Sequence, residues 1–186
     1  SIPDRKCLRP YAKGPRVGLL GGSFNPAHQG HIRLSLEALR WLDLDQVWWL
    51  VSPQNPLKAH EGMEKFEHRL HGAEQLTSKH QRIRSLDLES KLGSIFTVDT
   101  LNHLHQRFRD YRFVWLMGAD NLLQLPNWQK WETIVDTTPL AVFSRPGYSY
   151  AALSGKAASR YRHYRMKHHP KLLADTAAPA WTFIWA

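Results

Sequence analysis

Val17-Gly18-Leu19-Leu20-Gly21-Gly22-Ser23-Phe24-Asn25-Pro26-Ala27-His28-Gln29-Gly30-His31-Ile32 decides how the rest of the chain is read. Residues 17–20 are a short apolar run bounded by glycine, the pattern of a buried strand. Residues 21–27 hold two glycines and an Asn-Pro pair, the chemistry of a turn. From His28 on, Ile32, Leu36 and Leu39 recur at i, i+4 and i+7, as on one helix face. A strand, a glycine turn and a helix start leave free N–H groups and the positive end of a helix dipole facing one point, where an anion binds. Gly21 and Gly22 allow a ligand to approach the main chain closely.

His28 and His31 are three apart and share a helix face. Imidazole donates hydrogen bonds to phosphate oxygens and becomes cationic beside an anion. Two alternatives stay open: a solvated pair, or a metal pair. The zinc helices of metalloproteases use His-Glu-x-x-His at i, i+4, however, and no carboxylate lies between these two. No Gly-Lys-Ser/Thr follows, so the stretch is not a Walker A loop, and Gly-x-Gly-x-x-Gly is absent.

Gly-Gly-Ser-Phe-Asn-Pro-x-His-x-Gly-His resembles the signature of the nucleotidyltransferases with a His-x-Gly-His motif. Within them it is most similar to the bacterial nicotinate-nucleotide adenylyltransferases. Asn25 stands where that family usually has Asp. The resemblance spans about residues 17–147 and includes two further motifs in order.

Outward from this stretch, Val47-Trp48-Trp49-Leu50-Val51 is a second buried strand. Strand, helix and strand at this spacing form a parallel βαβ unit. The loop Ser52-Pro53-Gln54-Asn55-Pro56-Leu57-Lys58 leaves the strand at its carboxyl end, where ligands of open parallel sheets bind. Lys58 can therefore reach the crevice of His28 and His31, or remain a solvated lysine. The family's similar loop, Pro-x-x-Pro-His-Lys, places its lysine near phosphates; Leu57 replaces its histidine. Residues 63–77 form an amphipathic helix with Phe66, Leu70, Ala73 and Leu76 on one stripe and Glu67, His68 and Arg69 in water. Residues 83–88 alternate as a strand nearer the sheet edge.

Thr97, Asp99 and Thr100 stand before Leu101, Leu104 and Phe108, as capping candidates at a helix start. The same pattern is similar to the family's Tyr/Phe-Thr-x-Asp-Thr-Leu, which implies a pyridine-ring pocket with Thr97 and Asp99. Residues 113–117 are a buried strand that runs into Gly118-Ala119-Asp120-Asn121, with a helix over 121–125. Asp120 either caps that helix or binds a ribose hydroxyl. Gly-x-Asp-x-Leu-x-x-Leu-Pro-x-Trp resembles the family's second signature, which implies Asp120 at the ATP site and Trp128 stacked on the pyridine ring. Residues 140–144 and 181–185 are further strands. Arg145-Pro146-Gly147 resembles another family element; on residue type alone Arg145 is structural.

The chain has 186 residues, 42% hydrophobic, with a net charge of +9 and one cysteine, Cys7. This is the size of one domain. No apolar run is long enough to cross a membrane, no secretory segment opens the chain, and a lone cysteine forms no internal disulfide. A cytoplasmic protein is expected. Residues 151–186 contribute +5 of the charge, and the basic, aromatic stretch 160–171 admits either nucleic acid or a plain surface element.

The expected fold is α/β, an open and mainly parallel Rossmann-like sheet with helices on both faces. Residues 1–16 form an N-terminal arm and 17–186 a single nucleotidyltransferase domain, lacking the Ser-x-Thr-x-x-Arg helix start that the resemblance implies after the final strand. The resemblance implies adenylyl transfer from ATP to nicotinate mononucleotide, giving deamido-NAD and pyrophosphate. His28, His31 and Lys58 would be catalytic. Gly22, Ser23, Phe24, Gly30, Gly118 and Asp120 would bind ATP, and Thr97, Asp99 and Trp128 the acceptor. Mg²⁺ would be held mainly by phosphates and water, with no protein ligand set. The alternatives are nicotinamide mononucleotide or another phosphate acceptor, a nucleotide sensor, and a nucleic-acid-binding module.

Overall fold

The computed structural model describes residues 13–53 and 62–186. Six strands form one parallel sheet: β1 (Arg16–Gly22), β2 (Gln46–Val51), β3 (Ile83–Leu86), β4 (Arg112–Gly118), β5 (Leu140–Phe143) and β6 (Trp181–Ile184). Their order is β3-β2-β1-β4-β5-β6. The sheet order reverses at β1, which lies between β2 and β4. In parallel sheets such a switch point opens a crevice at the carboxyl ends of the strands.

Successive strand residues face opposite sides, and both sides are apolar. Val17, Leu19, Trp48, Leu50, Phe113 and Trp115 share one core layer. Leu20, Trp49, Val51, Val114 and Leu116 share the other. Helices α1 (Gln29–Trp41) and α2 (Phe66–Thr77) cover the second layer through Ile32, Leu39 and Ala73. A short α3 (Leu88–Leu92) follows β3. Then α4 (Thr97–Arg107), α5 (Ala119–Gln124), α6 (Trp131–Thr137), α7 (Ser149–Leu153) and α8 (Lys156–Arg160) close the first layer, through Leu101, Leu122, Ile134, Ala152 and Ala157 among others.

Several elements differ from the sequence expectation. Arg16, assigned to the arm, opens β1. The second helix starts at Phe66 rather than 63, β3 stops at Leu86 because Leu88 opens α3, and β6 ends at Ile184. Helix α5 starts at Ala119, and Leu125–Asn127 is a separate 3-10 turn with proline in its first positions. On α1 the buried residues are Ile32, Ser35, Ala38 and Leu39, while Leu36 is 46% exposed. Ser35 takes the inner position because its hydroxyl is satisfied: it accepts from Trp49 Nε1 at 2.8 Å and donates to the His31 carbonyl at 2.8 Å.

At the amino ends of the central strands, Asp175 binds Arg16 and Arg112, each at 2.6 Å. This fastens the 3-10 segment Pro170–Asp175 beneath the sheet, away from the crevice. The basic stretch 160–171 folds back along β6. Tyr161 is buried, Arg165 lies over the Trp181 ring, and Met166 N–H donates to the Trp181 carbonyl at 2.7 Å. Among the described residues no helix is long and apolar enough to cross a membrane.

Candidate active site

The two histidines lie side by side, as their spacing suggested, but His28 stands just before the helix rather than in its first turn. His28 is the N-cap of α1, and its Nδ1 accepts the Gly30 amide at 3.0 Å. His31, at the third helical position, accepts the His28 amide on its own Nδ1 at 3.1 Å. This is a capping box in which imidazole nitrogens replace the usual oxygens. A nitrogen that accepts from an amide carries no proton, so each neutral ring keeps its hydrogen on Nε2. The rings lie 4.0 Å apart, centre to centre.

Gly30 is required by this arrangement. A Cβ on residue 30 would lie 2.7 Å from Cε1 of His28. Beneath the pair, Phe24 is buried in the left-handed backbone region, with φ of 50°. Its ring stacks on Trp49 at 4.9 Å and touches His31 at 4.6 Å. Burial first, then His28 and Arg145, push the His31 imidazole from 6.5 down to about 4. His31 is therefore neutral at pH 7.

Across the switch point, Asp120 Oδ1 faces Arg145 Nε at 3.5 Å and makes no hydrogen bond among the described residues, although that oxygen is buried. A Cβ at Gly118 would lie 2.6 Å from that oxygen and 2.9 Å from Arg145 Nε, so glycine lets the pair close over the strand end. Asp120 does not cap α5; Gly118 does, without a side-chain bond. Arg145, structural on residue type alone, belongs to the crevice and reaches both Asp120 and, electrostatically, His31.

Trp128 is half-buried and meets Trp115 edge-on, their rings 6.4 Å apart. Trp115 in turn lies under Gly21, where a Cβ would stand 2.6 Å from its ring. Trp128 thus stands near the carboxyl end of β1. Thr97 opens α4, whose Val98 and Leu101 share the core layer that Trp128 packs against. The expected side-chain cap is absent: Phe96 holds the N-cap position, and Asp99 is exposed and accepts from Ser94 Oγ at 2.7 Å. Lys58 lies outside the described residues. Among those residues no group of three or more His, Cys, Asp or Glu could hold a metal ion.

Asn25 and Arg69 make bonds that residue type did not show. Asn25 Nδ2 donates to the Gly62 carbonyl at 3.1 Å, and its Oδ1 accepts from the Glu64 amide at 3.1 Å. An aspartate accepts but cannot donate, so Asn is the residue that makes both bonds. Arg69, assigned to water, is 3% exposed and donates to the main-chain carbonyls of Ser23, after β1, and Ser52, after β2. The signal was its position: three after Phe66 and four before Ala73, on the apolar stripe.

The cytidylyltransferase-like family model matches residues 19–179. A chain from Parvibaculum lavamentivorans, named "probable nicotinate-nucleotide adenylyltransferase", is 50% identical over 97% of this chain and 88% of its own length. One of the same name from Gluconobacter oxydans is 52% identical over 92% and 88%. Among solved structures, Plasmodium falciparum nicotinic acid mononucleotide adenylyltransferase complexed with NaAD superposes with a TM-score of 0.68. It is 17% identical and covers 93% of this chain and 76% of that one, a likeness of fold.

Proposed function

The chain belongs to the cytidylyltransferase-like family and, within it, to the nicotinate-nucleotide adenylyltransferases, and from that premise we propose how its crevice carries out the reaction. It transfers the adenylyl group of ATP to nicotinate mononucleotide, forming deamido-NAD and pyrophosphate. A phosphate oxygen of the mononucleotide attacks the α-phosphorus of ATP. The new O–P bond forms as the bond from the α-phosphorus to the oxygen bridging it to the β-phosphate breaks, and the electron pair leaves with pyrophosphate. The attacking oxygen is already anionic, so the step needs no protein base. It needs alignment and stabilisation of negative charge.

The observation that carries this reading is the histidine capping box. Because both Nδ1 atoms are occupied by amides, both Nε2–H groups are left to donate to phosphate oxygens. His31 does so as a neutral imidazole at pH 7, because burial holds its pKa at about 4. The amides of Ser23 and Phe24 make no hydrogen bond among the described residues and stand in the same turn. Gly22, Gly30 and Gly118 keep the backbone close to the ligand. Asp120, held by Arg145, accepts from a ribose hydroxyl, and Lys58 adds a cation from the loop after β2. Trp128 offers a flat face to the pyridine ring, with Thr97 and Asp99 at the same pocket. Mg²⁺ enters with ATP as part of the substrate, coordinated by phosphates and water.

The test is to incubate the protein with ATP, Mg²⁺ and either mononucleotide and measure pyrophosphate. Release with nicotinate mononucleotide well above that with nicotinamide mononucleotide is expected. Equal release, or release with neither, contradicts the reading.

A further inference from the structure

Arg69 is a buried arginine that pairs with no carboxylate among the described residues. Glu67 on the same helix acts on it only at longer range. Main-chain carbonyls satisfy it instead. Nη1 donates to the Ser23 and Ser52 carbonyls, both at 2.7 Å, and Nε to the Glu64 carbonyl at 3.0 Å. Nη2 is buried and makes no hydrogen bond among the described residues. Ser23 follows β1 and Ser52 follows β2, so one guanidinium ties together the carboxyl ends of the two strands beside the switch point.

We propose that Arg69 is a positioning residue for the phosphate-binding turn: it fixes the Ser23 carbonyl and thereby aims the Phe24 amide at the polyphosphate. The geometry follows from one peptide plane. The Ser23 carbonyl and the Phe24 N–H belong to the same trans peptide and point to opposite edges of it. Holding the oxygen inward on Arg69 turns the N–H outward, toward the crevice. The guanidinium also polarises that peptide, which strengthens the N–H as a donor. A polyanion that arrives in front of the turn also meets the field of this buried positive charge.

This inference rests on the reading of the crevice as a polyphosphate site, and it is tested with two measurements on the full chain. Kinetics of Arg69→Met, folded by circular dichroism, should show a KM for ATP raised about tenfold or more and a reduced kcat. The KM for the mononucleotide should stay within about twofold. Calorimetry with inorganic triphosphate should show the same weakening of binding. Arg69→Lys, which keeps the charge but cannot span three carbonyls, should fall between. Added guanidinium ion, but not an equal concentration of sodium chloride, should partly restore Arg69→Ala.

Should Arg69→Met not fold, the lysine variant decides by the same readouts. Unchanged ATP kinetics and triphosphate binding in a folded variant would overturn the proposal. So would equal losses for both substrates that track the fraction folded. Should the unmodified protein turn over neither mononucleotide, the reaction assignment fails, while weaker triphosphate binding by Arg69→Met still upholds the role of Arg69.

Discussion

The main-chain N–H of His28 donates to Nδ1 of His31 at 3.1 Å, and the two imidazoles close the amino end of α1 on each other. Each ring therefore has two tasks, capping with Nδ1 and meeting phosphate with Nε2. Substitutions separate them. His28→Ser keeps a good cap and should retain thermal stability, whereas His28→Ala should lose about 1 kcal/mol. Both variants, and His31→Ala, should lose turnover by about 10²–10³, the loss typical of one preorganised donor. Thermal melts and steady-state kinetics on the three variants measure this. Normal turnover in any of them contradicts the assigned role.

Gly30→Ala should also separate stability from activity. Alanine favours helix over glycine by up to about 1 kcal/mol, and the atom it would strike is the movable His28 ring. That gain and the loss of the His28 cap offset each other, so the melting temperature should change little while kcat/KM falls at least about tenfold. At Gly118 a Cβ would crowd both Asp120 and Arg145, so Gly118→Ala should chiefly raise the KM for ATP.

Acid should destabilise the ligand-free protein partly through His31. Its ring titrates near 6.5 unfolded and at about 4 in the native state. Between these values the unfolded chain holds more protons, so stability falls as pH drops from 6.5 towards 4. Above 6.5 this contribution is complete, and below about 4 no more is lost. His31→Gln should flatten the pH dependence of the melting temperature across that window.

Asp175 contributes a second acid-labile term at the opposite end of the sheet. Burial pushes its carboxyl up, but the hydrogen bonds and charges of Arg16 and Arg112 outweigh this and leave its pKa below the ordinary carboxylate value. A depressed carboxylate stabilises the fold above its unfolded pKa and loses that contribution as pH falls through the native one. Asp175→Asn should destabilise by about 2 kcal/mol at pH 7, since it leaves two arginines facing a neutral amide. Turnover at a temperature where the variant stays folded should not change, because these groups lie away from the crevice.

The central strands were legible because parallel strands buried on both faces leave unbroken apolar runs, as in residues 47–51 and 113–117. The short helices α6 to α8 were not, because five to seven residues give too few turns for a period to show. Within the crevice, residue type pointed to His28, His31 and Asp120, and the resemblance to the family's second signature added Trp128. Hydrophobicity misplaced Arg69, which sits on an apolar stripe and is buried because specific carbonyls satisfy it, and Leu36, which is exposed. The capping role of the histidines was hidden for a related reason. The spacing of a capping box was present, but imidazole is not among the residues by which such a box is recognised.

The central claim is that the capping box fixes both imidazoles as Nε2–H donors toward a polyphosphate. Nitrogen-15 spectra of the His28 and His31 side chains at pH 7, before and after ATP is added, test it most directly. Both rings should show the hydrogen on Nε2 in the free protein, and ATP should shift both Nε2 resonances while Nδ1 remains an acceptor. Hydrogen on Nδ1 in either ring, or Nε2 signals that ATP leaves unmoved in a protein that still turns over, would contradict the account.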